Sequence, residues 1–169
     1  MDEIEPTGEQ ETRRTAYRTW RKAWVFPSEI ENQLGKWVSR EPHPILHLFA
    51  GRSNLGDFHV DLTFDAHRHV ADAIDIRADA YRLPFHDKTF ATVIADPDWN
   101  DDWKKRWRLA KEIARVMRPD GRFYLNAPWV PTSGMDWVVE AVWVVHLRWG
   151  MPRNASLLTI CRRRDAEPA

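Results

Sequence analysis

The segment FATVIADPDWN, residues 90–100, ends an apolar run on a cluster of polar groups. Its first six residues form a short apolar run bounded by turn formers, which is typical of a strand buried on both faces. DPDW, residues 96–99, follows at once. Because Asp-Pro pairs commonly start turns, a plain turn is one interpretation. The other is that the carboxyl end of this strand holds a flat substrate that carries an amine.

Similar apolar runs lie on both sides of this segment and alternate with helical patterns. The predicted strands are ILHLFAG, FHVDL, AIDIRADA, FATVIAD, RFYLNA, MDWVVEAVWVVHLRW and LLTICRR. Alternation with helices predicts an α/β fold with a Rossmann-like, mostly parallel sheet of about seven strands. The last two strands are separated by the turn formers GMPRNAS, so they predict a C-terminal hairpin and one antiparallel edge strand.

Two helices have clear signals in the sequence. FPSEIENQLGKWVSR, residues 26–40, contains Ser28 and Glu31 at the spacing of a capping box. A second helix is predicted over residues 103–118, with N-terminal capping from Asn100, Asp101 and Asp102. Its apolar stripe at steps of three and four consists of Trp103, Trp107, Ala110, Ala114 and Met117.

Composition indicates one globular domain. The chain has 169 residues, and we expect a flexible N-terminal tail over 1–14 and a single domain over 15–169. Lys plus Arg and Asp plus Glu both number 25, so no net charge attracts nucleic acid or membrane.

Cys161 is the only cysteine, which excludes an internal disulfide and favours a reducing, cytoplasmic setting. No apolar run approaches the ~18 residues of a membrane span, and no signal-type core begins the chain.

The ends of the predicted strands are where a ligand is expected, because open α/β sheets bind ligands beyond the carboxyl ends of their strands. The polar and glycine residues there are Gly51, Gly56, Asp61, Asp79 and the 96–99 segment. Glycine lets a backbone approach a ligand closely. An ionised carboxylate accepts two hydrogen bonds, which suits the two hydroxyls of a ribose.

In this order, these strand ends resemble the class I S-adenosylmethionine (SAM)-dependent methyltransferases. ILHLFAG resembles their first motif, HVDL their second strand with its terminal acid, and ADAYRLPFHDKTFATVIAD their adenine-binding turn and following strand. AKEIARVMRPDGRFYL is similar to the helix and turn that lead into their fifth strand. DPDW resembles the DPPW or DPPY tetrapeptide of the amino-methyltransferases, which act on exocyclic nitrogens of adenine or cytosine.

The resemblance implies a cofactor site and an acceptor site. SAM is the implied cofactor, and its implied contacts are Phe49, Ala50, Gly51, Asp61, Asp79, Ala80 and Leu83. The implied catalytic residues are Asp96 and Pro97, which accept the protons of the amine, and Trp99, which stacks on its ring. The expected reaction is methyl transfer to an amine nitrogen. The favoured acceptor is a nucleobase nitrogen similar to N6 of adenine, in DNA, RNA or a nucleotide. No metal is expected.

The chain departs from the family pattern in three places. His47 stands where the first motif usually has an acid, and Asp98 replaces the second proline of DPPW. Only six residues separate Gly51 from Phe58, which leaves no room for the helix that normally follows the first strand. We therefore expect a compact variant of the fold.

Two other functions stay open at this point. LPFHDKTF and IARVMRPDGRF also resemble small-molecule class I methyltransferases. The short loop after the first strand and Asp98 are compatible with a non-catalytic SAM-binding or interaction protein. Simpler interpretations exist for single residues as well, since Asp61 and Asp79 can cap turns and His47 can be a core histidine. His67 and His69, with His59, offer no clean metal-ligand spacing.

The helix over residues 103–118 is strongly basic. Its cations are Lys104, Lys105, Arg106, Arg108, Lys111, Arg115 and Arg118. Such a run is usually a solvated face. It also suits contact with phosphates, so a nucleic-acid or nucleotide partner is a second interpretation.

Overall fold

Two helices and seven strands make up the part of the chain that the computed structural model describes. The described residues are 28–51, 53–62, 74–97, 104–131, 136–146 and 155–164. The elements are α1 Ser28–Val38, β1 Ile45–Leu48, β2 Phe58–Asp61, β3 Ile74–Arg77, β4 Phe90–Ala95, α2 Arg106–Val116, β5 Met117–Ala127, β6 Trp137–His146 and β7 Ala155–Arg163. The predicted tail over 1–14 lies outside these ranges.

The seven strands form one sheet in the order β3-β2-β1-β4-β5-β7-β6. Strands β1 to β5 pair in parallel, whereas β7 is antiparallel to both β5 and β6. The predicted mostly parallel, Rossmann-like α/β sheet with its C-terminal hairpin is confirmed. The expectation that the antiparallel strand forms the edge is wrong, because β7 inserts between β5 and β6. Burial agrees with this order, since Leu158 and Cys161 of β7 are buried while Val144 of β6 is 68% exposed.

The register of the parallel strands brings their carboxyl ends to one edge of the sheet. Leu48 of β1 is aligned with Val60 of β2 and with Ala95 of β4. Ala95 is in turn aligned with Leu125 of β5. The order of the strands reverses at β1, which lies between β2 and β4, and such a switch point is where α/β sheets bind ligands.

Alternate residues of the strands build a core on each face of the sheet. On one face, Leu46 and Leu48 of β1 pack in the same cluster as Leu109 and Ile113 of α2. On the opposite face, α1 contributes Leu34 and Val38 to a smaller cluster, which also contains Ile45, Ile94, Tyr124 and Leu158. Successive side chains of a strand point to opposite faces, so the near-continuous apolar strands of the sequence follow from helices on both sides.

A short loop, with no helix among its described residues, joins β1 to β2. Ser53 donates its backbone N–H to Ala50 O at 2.8 Å, and Asp57 donates to Ile45 O at 2.9 Å. Gly56 has φ +90°, and a Cβ there would lie 3.1 Å from Ile45 O, so glycine is required for this close return. The expected compact variant without a helix after β1 is confirmed over these residues.

Helix α2 differs from its predicted start and face. Its N-cap is Lys105, without a side-chain capping bond, and Asn100, Asp101 and Asp102 lie outside the described residues. The buried residues are Leu109, Ala110, Ile113 and Val116. Trp107 is 42% exposed, so its predicted place on the apolar stripe is wrong. Each helical residue turns by about 100°, which directs Trp107 away from a face centred on Leu109 and Ile113.

None of the helices in the described ranges has the length and apolarity that a membrane span requires.

Gly121 in β5 tests the tight packing between β4 and β5. A Cβ at Gly121 would lie 2.5 Å from Ala91 O and 2.8 Å from Met117 Cγ. We expect Gly121→Ala to lower the free energy of unfolding by about 1–3 kcal/mol, because backbone must move. Urea denaturation measures this. Gly35→Ala is the control, since its Cβ would meet only the Leu55 side chain at 3.3 Å and alanine favours a helix. If Gly121→Ala and Gly35→Ala had equal free energies of unfolding, the tight packing around Gly121 would be contradicted.

Candidate functional site

Residues from four strand ends meet at the carboxyl edge of the sheet around the switch point. The loop 49–51 follows β1, Asp61 ends β2, Asp79 follows β3 and Asp96 follows β4. The structure therefore places the sequence-predicted site residues that it describes at one edge. Trp99 is outside the described residues, as is Asp98, so the predicted stacking role of Trp99 stays a prediction.

The loop after β1 is fixed to the end of β2 through its backbone. Gly51 donates its N–H to Asp61 Oδ2 at 3.0 Å, and Ala50 donates to Val60 O at 3.3 Å. Phe49 and Gly51 have φ of 56° and 52°, the left-handed region, which curls the chain tightly here. Asp61 thus takes part in a structural hydrogen bond, and a carboxylate has the capacity to accept further bonds from a ligand.

His47 lies within β1, and its side chain is buried. It is 0% exposed, and its Nδ1 is 3.1 Å from Leu55 O. It pairs in register with the buried His59 of β2, with ring centroids 6.1 Å apart. His47 is therefore a hydrogen-bonded core histidine, as the simpler interpretation of the sequence had it. His67 and His69 are outside the described residues, and within those residues no group of three metal-ligating side chains occurs.

The loop after β3 contains the predicted adenine-binding residues. Asp79 Oδ1 accepts the N–H of Tyr81 at 2.9 Å, which closes a tight turn. Ala80 and Leu83 are 4% and 5% exposed. Tyr81 packs edge-on against Phe49 of the first loop, with centroids 6.3 Å apart. This contact joins the two loops that the resemblance assigns to the cofactor.

Two residues of α2 hold the loop after β3 in place. Glu112 Oε1 accepts the N–H of Leu83 at 2.7 Å, and Arg115 donates to Leu83 O at 3.1 Å and Phe85 O at 2.8 Å. The two side chains also pair with each other at 2.6 Å. We call Glu112 and Arg115 the loop clasp. Sequence reasoning missed it, although their spacing of three on one helix face was a signal.

The carboxylate of Asp96 is held by a residue that sequence reasoning did not single out. Asn126 Nδ2 donates to Asp96 Oδ1 at 3.0 Å, and the two residues are 2% and 3% exposed. A hydrogen bond to a charged group contributes about 1.5–3 kcal/mol. Pro97 is also buried. A turn that only reversed the chain at the surface would not need a buried, hydrogen-bonded carboxylate, so residues 96–97 are not a plain surface turn.

The cations of α2 divide into two groups. Arg115 points inward to the clasp and to Asp87, which it contacts at 2.8 Å, so it is not part of a solvated basic face. Lys105 Nζ and the Arg108 guanidinium lie 5.2 and 5.8 Å from the centre of the Tyr81 ring. Lys105 and Arg108 therefore form a basic surface next to the loop after β3, and Lys104 and Lys111 are exposed cations of the same segment.

The described residues at this edge fit a nucleoside-bearing cofactor. Gly51 has a left-handed backbone conformation and no side chain, so a cofactor can approach its backbone closely. Asp61 supplies a carboxylate for hydroxyl groups, and buried Ala80 and Leu83 supply apolar walls for a flat base.

Comparison with known proteins agrees with this fit. Residues 57–125 match the family model described as a methyltransferase domain. No curated protein matches the chain at a significant level. The matched segment runs from the end of the first loop through β2, β3, β4 and α2 into β5, and so includes the predicted adenine loop and Asp96.

Solved structures share the fold at low sequence identity. A Burkholderia thailandensis 1,6-didemethyltoxoflavin-N1-methyltransferase, with 1,6-didemethyltoxoflavin and S-adenosylhomocysteine bound, is 13% identical with a TM-score of 0.67, over 98% of this chain and 94% of that one. A SAM-dependent methyltransferase of Methanosarcina mazei is 13% identical, TM-score 0.57, over 83% and 99%. The [4+2]-cyclase SpnF is 10% identical, TM-score 0.61, over 80% of each.

The family match is limited to residues 57–125, and the solved structures, at 10–13% identity, show that the chain shares their fold. The fold alone does not fix the reaction, since a cyclase has it too.

The loop clasp gives the stability of the protein a pH dependence. Its hydrogen bonds from Arg115 and Leu83 lower the pKa of Glu112 below its ordinary value of 4.5. A depressed pKa contributes stability above the unfolded value, and this is lost as pH falls through the folded value. We expect Glu112→Gln to lower the unfolding free energy by about 1–3 kcal/mol at pH 7 and by much less well below pH 4. Urea denaturation at both pH values tests this.

The exposed Asp120 offers a matched control for that measurement. Asp120→Asn should leave the unfolding free energy within about 0.5 kcal/mol of wild type at both pH values. A loss for Glu112→Gln that stays the same from pH 7 to pH 3 would show that the clasp acts through packing and not through its charge.

Proposed function

We propose that this protein transfers a methyl group from SAM to an amine nitrogen on a nucleobase-like ring, of the adenine N6 type. The observation that carries the proposal is the buried Asp96-Pro97 turn at the carboxyl end of β4, beside the switch point of the sheet. An amine conjugated to a ring is a poor nucleophile. Acceptors for its protons draw the nitrogen toward tetrahedral geometry and free its lone pair.

The chain's own residues supply this arrangement in our proposal. Asp96 and the carbonyl of Pro97 accept hydrogen bonds from the two N–H groups of the amine, and Trp99 stacks on the ring face. The Asp96 carboxylate takes the one proton that the nitrogen loses when it gains the methyl group. When bound, SAM supplies the methyl group on a sulfonium, a leaving group that needs no protonation. Most of the rate then comes from alignment of the nitrogen with the methyl, since positioning alone lowers a barrier by about 7–11 kcal/mol in favourable cases.

The proposed cofactor contacts are the loop and acid residues of the first three strands. Asp61 binds the ribose hydroxyls and Asp79 faces the adenine amine. The remaining contacts are Phe49, Ala50, Gly51, Ala80 and Leu83. Two contacts support this proposal: Gly51 donates its N–H to Asp61, and Phe49 packs on Tyr81.

A small-molecule acceptor is the second candidate. The Burkholderia protein that shares this fold is an N1-methyltransferase of 1,6-didemethyltoxoflavin, a small compound. That similarity favours a nitrogen acceptor and also an acceptor that is not part of a nucleic acid.

Because Cys161 is the single cysteine and is buried, a reducing compartment suits the chain, and we propose a cytoplasmic location.

The basic surface supports a phosphate-bearing acceptor. Lys105 and Arg108 lie over Tyr81, directly after the proposed adenine wall at Ala80. The first turn of α2 contains no acidic residue, and its N-terminus is not capped by a side chain. Positive side chains at a helix N-terminus attract an anion, so a nucleotide or nucleic acid would be drawn to this side of the site.

Replacement of Asp96 separates chemistry from cofactor binding. We expect Asp96→Ala to lower kcat by about 10²–10⁴-fold while S-adenosylhomocysteine still raises the melting temperature. Asp61→Ala should instead lose most of that thermal shift, because it removes the ribose acceptor. Transfer of tritiated methyl to AMP, CMP, single-stranded DNA and RNA oligonucleotides and a metabolite extract measures activity.

Asp120→Ala is the control for both variants, since Asp120 is exposed in the β5 segment away from the carboxyl edge. It should match wild type in both assays. Full turnover by Asp96→Ala would overturn the acceptor role. A wild type that binds S-adenosylhomocysteine but labels no acceptor would favour a non-catalytic SAM-binding protein.

The basic surface predicts salt-dependent recognition of phosphate. The double variant Lys105→Ala/Arg108→Ala should raise the KM for AMP about fivefold or more at low salt with little change in kcat. The KM for adenosine should not change, because adenosine has no phosphate. Lys36→Ala/Arg40→Ala, which removes two exposed cations of the α1 end, is the matched control. An equal effect on AMP and adenosine would contradict phosphate contact.

A further inference from the structure

The hydrogen bond between Asp96 and Asn126 follows directly from the sheet register. Ala95 and Leu125 are aligned partners of β4 and β5, so the next residue of each strand lies side by side. Both side chains point to the same face of the sheet, and Nδ2 of Asn126 is 3.0 Å from Oδ1 of Asp96. The backbone, and not a flexible loop, therefore sets the distance between them.

This bond fixes which way the amide of Asn126 faces. A carboxylate accepts hydrogen bonds, so the NH2 of the amide must face Asp96 and the carbonyl Oδ1 must face away. That oxygen is buried, and among the described residues no hydrogen bond reaches it. Buried acceptors without a donor are rare in native proteins, and each one needs a physical explanation.

We propose that Oδ1 of Asn126 accepts the second hydrogen bond of the methyl-accepting amine, the bond given above to the Pro97 carbonyl, so that Asp96 and Asn126 together select a primary amine. This inference rests on the function proposed above. A primary amine has two N–H donors and satisfies both acceptors. A hydroxyl has one donor and leaves one buried acceptor unsatisfied, so such a group is disfavoured.

Asn126 also acts as a positioning residue for Asp96. Its NH2 holds the carboxylate in one orientation and stabilises the ionised form, because a hydrogen bond to the charged form favours it. Loss of Asn126 should therefore affect both the pH profile of the reaction and the choice of acceptor. A residue that served only to pack β5 would affect neither of these at constant stability.

The test compares nucleotides that carry an amino group at the exocyclic position with nucleotides that carry an oxo group there. Tritiated methyl transfer is measured to AMP and CMP, which carry an exocyclic NH2, and to IMP and UMP, which do not. We expect wild type to label AMP or CMP well above IMP and UMP. Asn126→Ala should lower kcat/KM for the amine substrate by roughly 10- to 100-fold and move the acidic limb of its pH profile upward.

A second variant and a binding measurement guard against misfolding. Asn126→Ser retains a small polar side chain, and Asn32→Ala, at an exposed site on α1, is the matched control. Each variant must show the wild-type thermal shift with S-adenosylhomocysteine. Variants of Asn126 with unchanged acceptor preference and pH profile would overturn this inference and leave the proposed function intact. A wild type that labels none of the four nucleotides overturns the nucleobase acceptor, and the inference falls with it.

Discussion

The aligned register of the parallel strands is the constraint on which the rest of the structure depends. Leu48, Val60, Ala95 and Leu125 are linked as partners across β2, β1, β4 and β5, so these strands end on one line. A shift of one residue would turn every side chain of a strand to the other face. The loop at Gly51 would then lose Asp61, and Asp96 would lose Asn126.

Two connections near this edge are short in the described part of the chain. No helix is found in the described residues between β1 and β2, and only residues 128–136 separate β5 from β6. Hydrogen bonds take the place of helix packing on the first loop, through Ala50, Gly51 and Asp57. Val142 and Val144 of the edge strand β6 are 44% and 68% exposed.

Helix α2 connects the two halves of the proposed site. Its buried face packs on the sheet, its clasp fixes the loop after β3, and its exposed cations lie beside that loop. The same element that stabilises the fold therefore determines where the proposed adenine-binding residues lie and which charges surround them. A change in the clasp would act on the proposed cofactor site through the backbone of Leu83.

The sequence by itself determined the fold class, the strand order along the chain and the polar residues at the strand ends, because apolar runs and Gly, Asp and Pro punctuation are local signals. Only the tertiary structure decided that β7 inserts before β6, that Arg115 points inward and that Asn126 holds Asp96. The Arg115–Asp87 and Asn126–Asp96 contacts join residues that are 28 and 30 positions apart in the sequence. The place of β7 depends on its pairing with neighbouring strands. Local patterns cannot specify such contacts, since burial and hydrogen bonding are settled by the whole sheet.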